Sequence, residues 1–319
     1  MIVRWGAVGL DDALQELGRS RPYLLASPRQ APLPDHVGRW SSLPTDDVEA
    51  VAAATTGADV LVALGGGSAI DTGKAVSVET GLPLLSIPTT YSGAEWTPFF
   101  GVRDGERRQR GGGAGAHVAG IVYEPERTLT LPRAETVGTA LNALAHCAEA
   151  LYVQGRNDAA DAEALAGAQL IGEWLPQVVE RPRDLEARTG LLRGACHAGA
   201  ALAGSMLALG HALAQALGGR YGLPHGAMNA LCLPPALRFN ELVAAEAVAR
   251  FAGALGVGDA AARVEELARL GGFRRLRDFG VQEAELEDVA AAVVVRPGAK
   301  ANPRPASPAE VAELLRSIW

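Results

Sequence analysis

Val60-Leu61-Val62-Ala63-Leu64-Gly65-Gly66-Gly67-Ser68-Ala69-Ile70-Asp71-Thr72-Gly73-Lys74 decides how the first half of this chain is read. An apolar run of strand length meets three consecutive glycines and then a stretch of helical composition. Strand, glycine turn and helix start in that order describe a βα unit. Glycines let a backbone approach an anion, and the unpaired N–H groups and dipole of a helix start favour phosphate. The pattern is neither GxGxxG nor the GxxxxGK(S/T) loop. A plain tight turn therefore stays open as the other reading of Gly65, Gly66, Gly67 and Ser68.

Working outward, Tyr23–Ala26, Leu84–Ile87 and Gly120–Tyr123 are further apolar runs of strand length with turn-forming boundaries. Asp11–Leu17, Asp46–Ala54 and Ser68–Thr80 read as the helices between them. Such alternation predicts a parallel, helix-covered sheet. From Glu135 on, strand signals give way to alanine- and leucine-rich helical windows: Ala140–Gln154, Ala160–Val179, Leu185–Leu217, Leu242–Leu255 and Val281–Ala292. Ser307-Pro308-Ala309-Glu310 opens a last helix, with an N-cap, a first-position proline and a glutamate three residues on. The expected layout is an α/β domain over 1–134 and an all-helical domain over 135–319.

Composition narrows the function classes. The charges sum to 29 − 36 = −7, which argues against a nucleic-acid partner. No apolar run reaches the ~20 residues that span a bilayer, so no membrane partner is expected. Cys147, Cys196 and Cys232 form neither a CxxC pair nor an even disulfide set, and the first residues lack a signal-peptide pattern. A cytoplasmic enzyme is the expectation.

Two more features carry chemistry. Ser86-Ile87-Pro88-Thr89-Thr90-Tyr91-Ser92-Gly93-Ala94-Glu95 places hydroxyls at the carboxyl end of a strand, where open α/β sheets bind ligands; a capped turn explains it too. Of six histidines, His146, His197, His211 and His225 lie in the helical half. Asn142 and His146, four residues apart, share one helical face, as a metal or polar-substrate site needs. A single histidine on such a helix is also a common hydrogen-bonded core residue.

These elements, in this order, resemble the iron-containing alcohol dehydrogenase superfamily, and within it the maleylacetate reductases. Gly65–Ser68 resembles the pyrophosphate loop, and Pro88-Thr89-Thr90 with Ser92 and Glu95 the nicotinamide-side loop. Tyr123–Glu126 with Leu129–Pro132 resembles the crossover between domains, and Asn142–Cys147 with Gly218-Gly219 and Leu223-Pro224-His225 the helical domain. The resemblance implies a Rossmann-like nucleotide-binding domain followed by an all-helical domain, the fold of dehydroquinate synthase. It implies NAD(P)H as cofactor, held by Gly65, Gly66, Gly67, Ser68, Asp71, Thr89, Thr90 and Ser92. It also implies a homodimer, and a catalytic centre of Asn142, His146, His211 and His225 acting on a small, carboxylated molecule.

The departures shape the expected chemistry. Metal-dependent members use an aspartate and three histidines, whereas Asn142 stands at the aspartate position. An uncharged amide weakens Fe²⁺ or Zn²⁺ binding at His146, His211 and His225, so a weak or absent metal is expected. Gln215 replaces a further histidine of the family and cannot relay a proton. Ser27-Pro28-Arg29 offers no acidic ribose ligand after the second strand, and Arg29 would face a 2′-phosphate. An arginine-rich stretch, Arg103–Arg110, would suit a carboxylated substrate or simply be solvated. The expected activity is reduction of a carbonyl or enone, such as the oxo-acid maleylacetate. An alcohol or β-hydroxy-acid dehydrogenase, with or without decarboxylation, is the alternative enzyme; a weakened homologue kept as a scaffold subunit is the alternative from another class.

Overall fold

A computed structural model of the chain describes residues 1–29, 35–106 and 109–319. Two compact units divide it, Met1–Thr130 and Leu131–Trp319.

The first unit is built on strands β1 (Ile2–Trp5), β2 (Pro22–Ala26), β3 (Gly38–Trp40), β4 (Val60–Gly65) and β5 (Leu84–Pro88), then β6 (Phe100–Arg103), β7 (Gln109–Gly113) and β8 (Val118–Tyr123). Six of them form one sheet in the order β1-β8-β5-β4-β2-β3, paired in parallel throughout. Helices α1 (Gly9–Leu17), α2 (Val48–Ala54) and α3 (Gly67–Thr80) cover it. One face packs Leu24, Val62, Leu64 and Ile87 against Leu10 and Ala13 of α1. The other packs Leu25, Leu61, Ala63 and Leu84 against Val51 of α2 and Ile70 and Val76 of α3. Burial on both faces explains why these strands read as continuous apolar runs rather than alternating ones. Each fully buried leucine or isoleucine contributes roughly 1.5–3 kcal/mol. Gly73 brings α3 close to the sheet: a Cβ there would lie 3.0 Å from Leu84 and 3.1 Å from Ala63.

The central strands coincide with the apolar runs of the sequence, but β1 and the short β3 carry weaker signals and emerge only in the structure. The arginine-rich stretch becomes an antiparallel hairpin of β6 and β7, of which Arg107 and Arg108 lie outside the described residues.

The second unit is helical: α4 (Arg133–Ala150), α5 (Asp158–Glu180), α6 (Leu185–Gly204), α7 (Leu209–Tyr221), α8 (His225–Ala254), α9 (Ala260–Leu270), α10 (Leu286–Val294), α11 (Pro297–Lys300) and α12 (Pro308–Ser317). From Thr136 to Ala150 α4 is buried nearly all round, between α5, α6 and α8. Its alanines and Gly138 leave room for that. The single window Leu185–Leu217 is corrected to two helices, broken at residues 205–208 and bent by 99°. Gly204-Ser205 marks this break only weakly, because α6 also carries Gly190, Gly194 and Gly199 within it; a buried partner described below reinforces it. The window Leu242–Leu255 is the second part of α8, which kinks at Ala244. The expected cap of α12 is present, with Ser307 and Glu310 bonded reciprocally. Among the described residues no single helix is long and apolar enough to cross a membrane.

Candidate functional site

In the first unit two loops meet at the carboxyl ends of the adjacent strands β4 and β5. The Thr89 N–H donates to the Gly65 carbonyl (3.0 Å), tying the loops together. A Cβ at Gly66 would lie 2.9 Å from Thr90 Cγ2, and one at Gly67 3.8 Å from Ser92 Oγ. Side chains at these positions would fill the approach between the loops, so the glycines keep it open. No side chain caps α3, and its first amides have no intrahelical acceptor. Thr90 Oγ1 bonds Ser92 Oγ at 3.3 Å on the facing wall. A pyrophosphate suits this cradle, with backbone donors and a helix dipole on one side and hydroxyls on the other.

Asp71 points elsewhere along α3. Its carboxylate accepts from the Gly101 N–H (3.3 Å) and lies 3.6 Å from Lys74 Nζ. Lys74 is buried and donates to the Phe99 carbonyl (2.7 Å). Burial raises the Asp71 pKa and lowers that of Lys74, while their mutual attraction opposes both shifts. The pair thus fastens the β6–β7 hairpin to α3. Glu95 is also structural: buried, it accepts from the Tyr123 hydroxyl (2.9 Å), and burial raises its pKa.

At the end of β2, Ser27 is flanked by a residue the sequence reading passed over. Arg39 of β3 donates through Nη2 to the Ser27 carbonyl (2.6 Å) and through Nε to the Ala26 carbonyl (3.4 Å). Arg29, the sequence candidate there, is exposed.

The second unit gathers the histidines from α4, α7 and α8. The His146 and His211 rings stack at 4.7 Å, 12° from parallel, and His225 lies 5.8 Å from His211. Asn142 joins through Asn229, whose Nδ2 donates to Asn142 Oδ1 (2.7 Å) and lies 3.0 Å from His225 Nε2. His197 is not part of this group; on α6 it bonds Glu163 of α5 at 2.6 Å. Burial, then His211 and His225, holds the His146 pKa well below its ordinary value, so its ring is neutral.

Glu149 is the partner that the sequence reading missed. It is wholly buried on α4, and its carboxylate accepts from the Ala208 N–H (2.7 Å), the His211 N–H (3.0 Å) and His211 Nδ1 (2.7 Å). Those backbone bonds satisfy the start of α7 and reinforce the break between α6 and α7. Because a carboxylate only accepts, His211 carries its proton on Nδ1. Its Nε2 is then buried without a partner, as is His146 Nδ1. The available signal was spacing: Asn142, His146 and Glu149 fall on one face of α4 at intervals of four and three.

Two glycines bring α4 and α8 together beside this cluster. A Cβ on Gly226 would stand 2.5 Å from the Gly138 carbonyl carbon, so the helices cross backbone against backbone.

A four-ligand metal centre fits these side chains poorly. His211 is oriented as a ligand would be, with a carboxylate behind it. Asn142 Oδ1 and His225 Nε2, however, both face the Asn229 amide. Among the described residues no three His, Cys, Asp or Glu groups converge as a metal ion requires.

Comparison with known proteins supplies the family. The C-terminal model of the Fe-containing alcohol dehydrogenase family matches residues 136–319, and the iron-containing alcohol dehydrogenase model matches 41–118. Maleylacetate reductase of Burkholderia cepacia is 40% identical over 84% of this chain and 76% of its own. The Sphingobium indicum enzyme of that name is 34% identical, over 95% of this chain and 90% of its own. The crystal structure of maleylacetate reductase from Agrobacterium tumefaciens superposes with a TM-score of 0.90 at 31% identity, covering 100% of this chain and 95% of that one.

Proposed function

The chain belongs to the iron-containing alcohol dehydrogenase family and is an NAD(P)-dependent oxidoreductase, and from that premise we propose that it reduces maleylacetate or a closely similar carboxylated enone. The observation that carries the reading is the stacked pair of buried imidazoles, each with a nitrogen lacking a partner. Two unpartnered ring nitrogens side by side in a helical core suit one substrate oxygen.

The roles divide between the units. Gly65, Gly66, Gly67 and Ser68, with Thr89, Thr90 and Ser92 opposite, hold the dinucleotide phosphates. When bound, the reduced nicotinamide supplies a hydride. Hydride addition to an enone places negative charge on the ketone oxygen, and the protein must stabilise that oxygen. His211 is the group for this when its ring carries a second proton, on Nε2: Glu149 holds the Nδ1–H and balances the charge of that imidazolium, and Nε2–H passes its proton to the oxygen, returning the ring to the neutral Nδ1–H form. His146 stays neutral beside it, and Asn142 and His225, joined by Asn229, close the polar rim. Asn142 and His225 are engaged with each other through that amide, which suits hydrogen bonding to substrate better than metal ligation.

The test is direct. Purified protein should oxidise NADH or NADPH in the presence of maleylacetate, with turnover unchanged after EDTA treatment. Turnover of simple alcohols or β-hydroxy acids with none on maleylacetate would move the assignment to the alternative enzyme. Absence of any cofactor-induced change in tryptophan fluorescence would favour the scaffold reading. The similarity to the reductases supports the first outcome.

A further inference from the structure

We infer that Arg39 reads the 2′-phosphate of NADPH at a subsite on the carboxyl end of β2, making it the residue that sets cofactor preference. The inference rests on the first unit being the dinucleotide-binding one.

The register of the sheet places this subsite. Ala26 pairs with Leu64, so β2 ends level with the residue that precedes the glycine turn. Adjacent strands lie about 4.8 Å apart, which puts Ser27 beside Gly65. With its pyrophosphate at the glycine turn, a dinucleotide extends its adenosine ribose along the carboxyl ends of the strands. From the turn, the edge of the sheet lies across β2 and β3. Arg39 starts lower, opposite Leu24, and its side chain runs up to the Ala26 and Ser27 carbonyls.

Chemistry selects the phosphate. Two bonds to carbonyls hold the guanidinium plane at the strand end, where a planar cation suits a phosphate dianion. A carboxylate at this place would instead accept from a 2′-hydroxyl and repel a 2′-phosphate. The strand and its end, Tyr23 to Arg29, contain no Asp or Glu; the first acid of the β2–β3 connection is Asp35. Arg39 thus takes over the task assigned from the sequence to Arg29, which adds only an exposed charge nearby.

Titration of the full chain with NADPH, NADH and 2′,5′-ADP tests this without turnover. Arg39→Ala should weaken 2′,5′-ADP and NADPH at least tenfold, about 1.4 kcal/mol, while NADH affinity changes less than threefold. Arg39→Gln retains a side-chain donor for the strand-end carbonyls but not the charge, and should show the same selective loss. Equal losses for NADH and NADPH in the glutamine variant, or unchanged NADPH affinity in either variant, would overturn the assignment. Wild-type protein that binds NADH but not 2′,5′-ADP would also overturn it, leaving the dinucleotide reading intact. Wild-type protein that binds neither dinucleotide would remove both.

Discussion

The glycine turn after β4 and the imidazole cluster of α4, α7 and α8 are built by opposite means. The turn is a backbone site: its donors are amides, and its specific feature is the absence of side chains at Gly66 and Gly67. The cluster is a side-chain site, in which groups from three helices are placed by Glu149 and Asn229. A backbone site is encoded locally and fails locally. A side-chain site depends on partners far away in sequence, so its failures spread through a network.

That contrast sets the order of expected effects. His211→Ala should be the most damaging, lowering kcat/KM by roughly 10²–10⁴ if its Nε2 delivers the proton, with dinucleotide affinity unchanged. Steady-state kinetics beside a fluorescence titration measures both; activity that survived would remove the histidine centre. Glu149→Gln should follow, costing about 10–100-fold in turnover, because an amide at that place holds the His211 ring less well. A loss confined to KM would show that Glu149 only shapes the pocket. Gly66→Val belongs to the other site and should reverse the signature. Dinucleotide affinity should fall at least tenfold, about 1.4 kcal/mol, with the helical unit undisturbed. Unchanged affinity in a folded variant would remove the turn from the cofactor site.

The smallest effect is on pH dependence. Since His146 is held neutral in the folded protein, the unfolded chain takes up its proton first as pH falls through about 6.5. The stability that neutral His146 contributes is therefore present above that pH and lost on acidification. Thermal unfolding followed across this range should show a shallower acid decline in His146→Gln than in the parent. Identical slopes would mean that the ring is not held neutral.

The same contrast explains what was legible in the sequence. Strands β2, β4, β5 and β8 were readable because burial on both faces writes each as one apolar run, and the glycine turn because its residues are contiguous. Asn142 and His146 were readable from helical spacing, and His211 and His225 only through the family's pattern. Glu149 was not singled out, because a carboxylate on a helix is usually solvated and nothing local says that His211 will reach it. The break between α6 and α7 was missed for the same reason: Gly204-Ser205 marks it weakly, and the partner that reinforces it sits on α4. Arg39 escaped notice because β3 spans only Gly38–Trp40, too little for a strand signal.

The crossing of Gly138 and Gly226 gives the helical half a fulcrum. Asn142 lies one turn beyond Gly138 on α4, and Asn229 nearly one turn beyond Gly226 on α8, so the 2.7 Å bond between their amides sits at the tips of two short arms. A single methyl group at Gly226 would meet the Gly138 backbone at 2.5 Å and work as a wedge, prising the arms open and carrying Asn142 away from Asn229 and His225; one at Gly138, 3.3 Å from its nearest neighbours, would press far less. The reach of the polar rim is thus gauged by two residues with no side chains, one of them next to His225 in the chain.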